Sequence, residues 1–549
     1  MKKFLWLVFI SLLISSNALP QFADQRTTGK MIFTNQHWLE DLEFVVTKLK
    51  LVHPNLYYKI SREKLDSVIN RSRSKIETAT TDAECYFAIR RIISALKDGH
   101  TNISLNGKID FVSMKLPIVI GCLGDGFFVE AAEKKNKYII GSKVTAVNGV
   151  PIDQVIQKLC EITSRDNSAG LIDKAASYLR YPLIMQGVGV VCGDTELTYS
   201  LTDMNGENSL ITIHHSINFE DSDLYDLQSS LGSSIPAYLK NLSKNYWFEE
   251  LKNEKTLYVQ INVLSNQGGK NDSFEEFTKK LFEYFDKKSS SIDKLIIDLR
   301  YNDGGNGRLV IPFVKGIVKR DYLNTRGKLY VIIGSKTFSA AIVMATSLLE
   351  YTEAIFIGSK SACPANLFSN STNVGTLPNS GYRLSISTRL IDNGWISNRE
   401  FFKIDIPVLT TGKEYFAGID PVLDAIIRNE AIPLADLAEE KDAEAAYQVY
   451  RNIAAKYPDI SWWYSSENLE SDLNIKGYQL IAKNQMDKAE QVLVLNTMLF
   501  PGSWNAWDSV AEIYYMNEKK NLCIKALEKS LELNPENLNA IEGLKQLKK

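Results

Sequence analysis

Between residues 36 and 97 apolar residues recur three and four apart, with Leu39, Leu42, Val45 and Leu49 of HWLEDLEFVVTKLKLV on one helical face and AECYFAIRRIISALKDG continuing the habit. This period predicts an N-terminal helical region over 30–110. From about residue 113 the texture becomes short and alternating. MKLPIVIG, GFFVEAA, YIIGSKVTAVNGVPI, GVGVVCG and ELTYSLTD read as strands, Asn148 and Gly149 as a hairpin turn, and IDQVIQKLCEIT as an interrupting helix. Together they predict a β module over 112–215.

Beyond Thr256 the pattern alternates between the two periods. TLYVQINVL, DKLIIDLR, KLYVIIG and EAIFIG read as buried strands; FEEFTKKLFEYFDKK, RLVIPFVKGIV and SAAIVMATSLLEY read as helices between them. Such βαβ alternation predicts a largely parallel sheet covered by helices, an α/β core over 250–430. Sites in such sheets lie at the carboxyl ends of strands, where DLRYNDGG stands.

The C-terminal stretch, 437–549, repeats. Pro501 and Pro535 are 34 residues apart, and aligning on them pairs Leu473 with Trp507, Gly477 with Ala511, Leu480 with Tyr514, Ala489 with Cys523 and Leu493 with Leu527. That period, with small residues where two helices touch, resembles the tetratricopeptide repeat, a TPR-like all-α array. AEAAYQVYRNIAAKYP supplies a partial third copy; the alternative is an unrelated helical hairpin bundle.

The first residues, MKKFLWLVFISLLISSNALPQ, have two lysines, an apolar run and small residues at Ser16 and Ala18, the layout of a secretory signal peptide over 1–18. The run is shorter than the roughly 20 apolar residues a bilayer span needs. An exported protein, periplasmic or secreted and with no integral membrane span after cleavage, is the expectation. Lys plus Arg number 63 against 65 Asp plus Glu, which leaves no basic footprint for nucleic acid. Six cysteines (85, 122, 160, 192, 363, 523) form no CxxC pair and read as small buried residues more readily than as disulfides. The five histidines include no HExxH, and the adjacent His214 and His215 point to opposite faces of a strand, so no metal or other cofactor is expected.

Ser339 follows a strand and opens a helix. There a serine is often only an N-cap, but its hydroxyl also feels the positive end of the helix dipole, and the next amide, on Ala340, is placed to donate to an oxyanion. A nucleophilic serine needs a base titrating near neutrality, and His100, between a helix and a strand in ALKDGHTNISL, is the best placed of the histidines. Gly304 and Gly305 end a strand either as a tight turn or so that backbone N–H groups can approach a substrate oxygen.

DGHT at 98–101, DLRYNDGG at 298–305 and TFSAA at 337–341, in that order, resemble the C-terminal processing (tail-specific) serine peptidases, and in particular the branch similar to the tricorn core protease. The resemblance covers residues 35–428 and implies a helical N-terminal part, a PDZ-like module around VTAVNGVPIDQVI and a crotonase/ClpP-like α/β core. Carried over position by position, it implies Ser339 as nucleophile, His100 as general base and an oxyanion hole from the Ala340 amide with that of Gly304 or Gly305. The lysine of the Ser-Lys branch is absent, with Pro364 in its place. Glu400, in NREFFKIDIPV, is the carboxylate nearest the position of the acid expected to orient the histidine. Departures include Ile342 for a usual Glu, and Ala362 and Cys363 for two glycines.

The implied function is an exported serine endopeptidase that cleaves peptides or unfolded chain ends. A catalytically weakened peptide-binding scaffold, with the repeats holding a protein partner, is the alternative, and a cleft for a small apolar ligand is a third.

Overall fold

Three helices, Asn35–Val52, Arg62–Thr78 and Asp82–Ala95, open the computed structural model. It describes residues 31–548 except 113, 192, 194, 217–218, 233–234, 267–272, 393–398, 459 and 464–468, so the signal-peptide segment and Cys192 lie outside the described residues. Thr34, Ser61 and Thr81 cap the three helices by accepting from the N3 amides, and the buried faces carry Trp38, Leu42, Val45 and Leu49 on the first and Ile89, Ile92 and Ile93 on the third.

Strands Ile118–Leu123, Gly126–Ala132, Lys143–Val147, Glu196–Thr202 and Asn208–His214 form one antiparallel sheet. Asn148 (φ 48°) and Gly149 (φ 75°) make its tight turn, a left-handed pair that fits the Asn-Gly signal. The helices and this sheet share one continuous apolar cluster. One expected strand is not seen: the described residues of GVGVVCG belong to no strand. Helix Pro182–Gly187 takes the first of these residues, the Val188 amide donates back to Ile184, Gly189 turns at φ 77°, and Val191 is left exposed.

The core sheet has the spatial order Ile406–Pro407, Ile355–Gly358, Leu329–Ile333, Lys294–Asp298, Thr256–Ile261, Tyr246–Leu251, with parallel neighbours except for the last pair. Alternate residues face opposite layers. Leu257, Val259, Leu295, Ile297, Leu329 and Val331 pack under helices Phe274–Lys288, Val310–Val318 and Ala340–Tyr351, whereas Tyr258, Ile296, Tyr330 and Ile332 meet helix Pro421–Ile427. The mixed α/β architecture expected of the chain is therefore present.

Arg300 locks this sheet to the last of those helices. Its Nε lies 2.9 Å from Asp298 Oδ2, its two terminal nitrogens reach Asp420 at 3.0 and 2.8 Å, and Asp420 caps the helix by accepting from Val422 and Leu423. All three charged side chains are nearly excluded from water. Arg300→Met leaves two buried carboxylates without their cation and is expected to cost about 3–5 kcal/mol, read as a lower urea midpoint. An unchanged midpoint would remove the anchoring role.

A hairpin of Leu367–Thr376 and Arg383–Ile391 leaves the core and pairs with Asn102–Ile103 of the N-terminal part, with Asn102 opposite Ser385 and Ile103 opposite Leu384. Asp41 fastens its turn, accepting from the Asn379 and Ser380 amides. This three-stranded sheet carries the segment beginning at Asp98 onto the core.

Helices from Leu434 onward pack against one another around a shared apolar cluster. Gly477 of Ser471–Ala482 lies so close to Met486–Leu499 that a Cβ there would come 2.5 Å from Leu493, and Ala489, Ala511 and Cys523 are buried at the corresponding crossings. Their cluster is docked on the core through Trp463 Nε1, which donates to the Ile404 carbonyl, and through Arg399 paired with Asp472. No helix among the described residues is long and apolar enough to cross a membrane.

Candidate active site

Ser339 stands at the N-cap position of helix Ala340–Tyr351, yet its side chain makes no cap bond. Its hydroxyl instead lies 2.8 Å from His100 Nε2, across 239 positions of sequence. This separates the two readings of that serine. Its backbone, at φ 55° and ψ −121°, occupies a region that costs a non-glycine residue on the order of 1–3 kcal/mol. The strain is held from both sides. Thr337 Oγ1 donates to the Leu299 carbonyl and accepts from Gly334, and the Phe338 amide donates to the Asn302 carbonyl, which ties the serine turn to the NDGG turn.

His100 follows a turn opened by Lys97 (φ 51°). Asp98 accepts from the His100 amide, from Thr101 Oγ1 and from His53 Nε2, and is fully buried. Burial works against its charge, but the bonds from His53, Thr101 and the His100 amide hold its carboxyl down at about 2. The imidazole of His100 stacks on Phe338, with centroids 4.4 Å apart and planes at 21°. Ser371 Oγ donates to the His100 carbonyl from the hairpin above. Burial pushes the imidazole below its ordinary range, with Asp166 and Asp98 pulling the other way. With Ser339 O–H donating to Nε2, the ring's proton sits on Nδ1, which is buried and has no hydrogen-bond partner among the described residues.

Glu400 does not supply that partner. Its carboxylate is exposed and accepts from the amide and hydroxyl of Ser168, at 3.2 and 3.1 Å, at the start of helix Ser168–Tyr178. Asn167 Nδ2 binds the carbonyls of both Ser361 and Glu400, which holds the Glu400 backbone beside the start of that helix, within reach of Ser168. The acid expected at Glu400 is thus placed elsewhere.

Of the three amides expected at the oxyanion hole, that of Gly304 is engaged by Asn302 Oδ1 at 2.9 Å. Those of Gly305 and Ala340 have no acceptor among the described residues. Leu264 donates to the Gly304 carbonyl and accepts from Asn306, so the Gly305 N–H faces away from Leu264. Gly304 lies against Ser339, where a Cβ would sit 2.7 Å from Ser339 Cβ and 3.3 Å from the Ala340 nitrogen. The structure therefore brings together Ser339, His100, Gly304, Gly305 and Ala340, and leaves Glu400 apart.

Sequence reasoning missed Asn302, whose side chain engages the Gly304 amide, and Asp166, a buried carboxylate beside the His100 turn. Nothing in the spacing of SRDNSAG marks Asp166 as different from any loop acid. Cys363 is fully buried beside Ser339, and burial pushes its thiol well up, so it offers no competing thiolate. The five described cysteines are all free.

No family model matches the chain, and no curated protein does. Among solved structures, mature CPAF complexed with lactacystin is similar over 72% of this chain and 99% of its own, with a TM-score of 0.51 at 14% identity. Mature CPAF alone gives 73% and 99%, with a TM-score of 0.51 at 15% identity. The tricorn protease is matched over 72% of this chain and 37% of its own, with a TM-score of 0.36 at 15% identity. The chain shares the fold of mature CPAF.

Proposed function

We propose that this chain is an exported serine endopeptidase acting on peptides or unfolded chain ends. The observation that carries the reading is the 2.8 Å contact between His100 Nε2 and the Ser339 hydroxyl, made on a strained residue at a helix N-terminus. Ser339 Oγ attacks the scissile carbonyl while Nε2 takes its proton. The Ala340 and Gly305 N–H groups donate to the developing oxyanion, and Phe338 supports the imidazolium ring from one face. The proton then passes from Nε2 to the leaving amine, and water, deprotonated by the same nitrogen, releases the acyl group.

The antiparallel sheet with its Asn148–Gly149 turn is read as the PDZ-like module, which would take a peptide as an added strand. The C-terminal helices are read as the TPR-like array, offering exposed Ile475, Tyr478 and Tyr515 to a protein partner. Supporting this is the small-residue contact of Gly477 with Leu493 at the repeat position.

The test is incubation with a fluorophosphonate probe, followed by peptide mapping, beside a digest of an unfolded protein. Probe on Ser339 together with cleavage carries the proposal; a chain that retains peptides, takes no probe and cleaves nothing is the binding scaffold instead.

The pH profile follows from burial of the base. The base acts when neutral, and a lowered pKa keeps it neutral to lower pH, so the acid limb of kcat/KM is expected below the ordinary histidine value of about 6.5. A limb at or above that value would contradict the buried geometry.

A further inference from the structure

The His100 ring has a buried Nδ1 with no partner among the described residues, and the carboxylate expected for it, Glu400, is bound to Ser168. Another carboxylate lies against the same turn. Asp166 is buried with its side chain at 0% exposure; Oδ2 accepts from the Gly99 amide at 3.2 Å and Oδ1 from Lys59 Nζ at 3.1 Å. The contact with residue 99 is close enough to dictate its identity. A Cβ on Gly99 would fall 2.5 Å from Asp166 Oδ2 and 3.1 Å from the Phe338 ring, so the glycine before the histidine leaves room for this carboxylate and for the ring on which His100 stacks.

From this arrangement we infer that Asp166, not Glu400, is the positioning residue that stabilises the His100 imidazolium, acting across the Gly99–His100 turn. The inference rests on the peptidase reading above and deepens it. During turnover the proton moves from Ser339 Oγ to His100 Nε2, the ring becomes a cation with N–H at both nitrogens, and the proton then leaves with the amine; Asp166 exchanges no proton with the ring. Burial pushes the Asp166 carboxyl up, while Lys59 and the His100 cation pull it back toward the charged form. The other charged groups acting on the ring are Asp98, which adds to Asp166, and Lys174 and Lys59, which oppose it. Asp98 is already committed to His53, Thr101 and the His100 amide. Lys174 donates to the Ser164 carbonyl and sits over the other partner of the stack, 5.6 Å from the Phe338 ring centre. Lys59 neutralises Asp166 only from its far oxygen, Oδ1, leaving Oδ2 on the side of Gly99.

Asp166→Asn keeps an acceptor for the Gly99 amide and removes the charge. Its kcat is expected to fall on the order of 10- to 100-fold with KM little changed, because one to two pK units of imidazolium stabilisation are lost. The acid limb of the profile moves to lower pH in the variant. Mere loosening of the turn would wet the imidazole and move the limb up, so the sign separates the two roles. Asp166→Glu is expected to restore part of the rate. The same titration is read without turnover by NMR of the His100 ring in a Ser339→Ala background, where Asp166→Asn lowers the imidazole pKa. If Asp166→Asn proves insoluble, Asp166→Ser carries both measurements. A wild-type chain that neither cleaves nor takes probe rejects the peptidase reading, while the NMR shift still judges Asp166. An unchanged or raised His100 pKa, or a downward shift produced by Glu400→Gln and not by Asp166→Asn, overturns the inference.

Discussion

Ser339→Ala is expected to lower peptide turnover by about 10⁴-fold or more and to abolish fluorophosphonate labelling, with the fold intact. In the proposed mechanism the Ser339 oxygen is the atom that bonds to carbon, and the neighbouring groups do not replace it: burial pushes the Cys363 thiol well up, and Thr337 Oγ1 is tied to Leu299 and Gly334. His100→Ala is expected to lose nearly as much, and the double variant no more than either, since a nucleophile without its base and a base without its nucleophile fail at the same step. Additive losses would mean that the two side chains do not act as a pair. Stability behaves differently. Alanine at φ 55° carries the same strain as serine, so Ser339→Ala is expected to unfold at nearly the wild-type denaturant midpoint, whereas Ser339→Gly, equally inactive, gains about 1 kcal/mol by relieving it. A destabilised Ser339→Gly would show that the turn is held by the side chain rather than against it.

The parts of this architecture set by local period were legible in the sequence. Helix Phe274–Lys288 is bounded as FEEFTKKLFEYFDKK reads, because Ser273 and Glu276 form a capping box and Phe274, Phe277, Leu281 and Phe285 recur on one face. Strands Lys294–Asp298 and Leu329–Ile333 follow equally from buried apolar runs bounded by polar turns. What brings the site together was not legible, because it depends on pairing between distant segments. Leu367–Thr376 is mostly polar along its exposed length and gives no strand period, yet it is the partner of Arg383–Ile391 that joins the His100 segment to the core. GVGVVCG failed in the other direction: its valines fit a strand, but the preceding Pro182 starts a helix that runs into them. Ser339, His100 and the Gly304–Gly305 turn stand out by residue type and neighbours, so their motifs were visible in the sequence. Glu400 was chosen by register alone, and where its backbone is held is decided by groups such as Asn167 that lie far away in sequence.

Gly304→Ala is the second large effect, and it tests whether the glycine turn serves the chemistry or only ends a strand. Gly304 adopts φ 120°, closed to L side chains, and a methyl there would meet Ser339 Cβ at 2.7 Å and the Ala340 nitrogen at 3.3 Å. Neither neighbour is free to yield. Ser339 is fixed through Phe338 and Thr337, and Ala340 opens a buried helix. The loop is therefore expected to move, carrying the Gly305 amide off the oxyanion position and costing on the order of 10²–10³-fold in kcat with a small change in KM. Gly305→Ala differs in kind. Its methyl would lie 2.2 Å from the Leu264 carbonyl, so that variant also breaks the bridge between the two loops and lowers the unfolding midpoint. Gly307→Ala, whose methyl would lie 4.0 Å from Ala340 Cβ, an ordinary van der Waals contact, is expected to cleave at the wild-type rate. If Gly304→Ala turns over like Gly307→Ala, the paired glycines are a strand terminator, and the oxyanion must be held by the Ala340 amide without them.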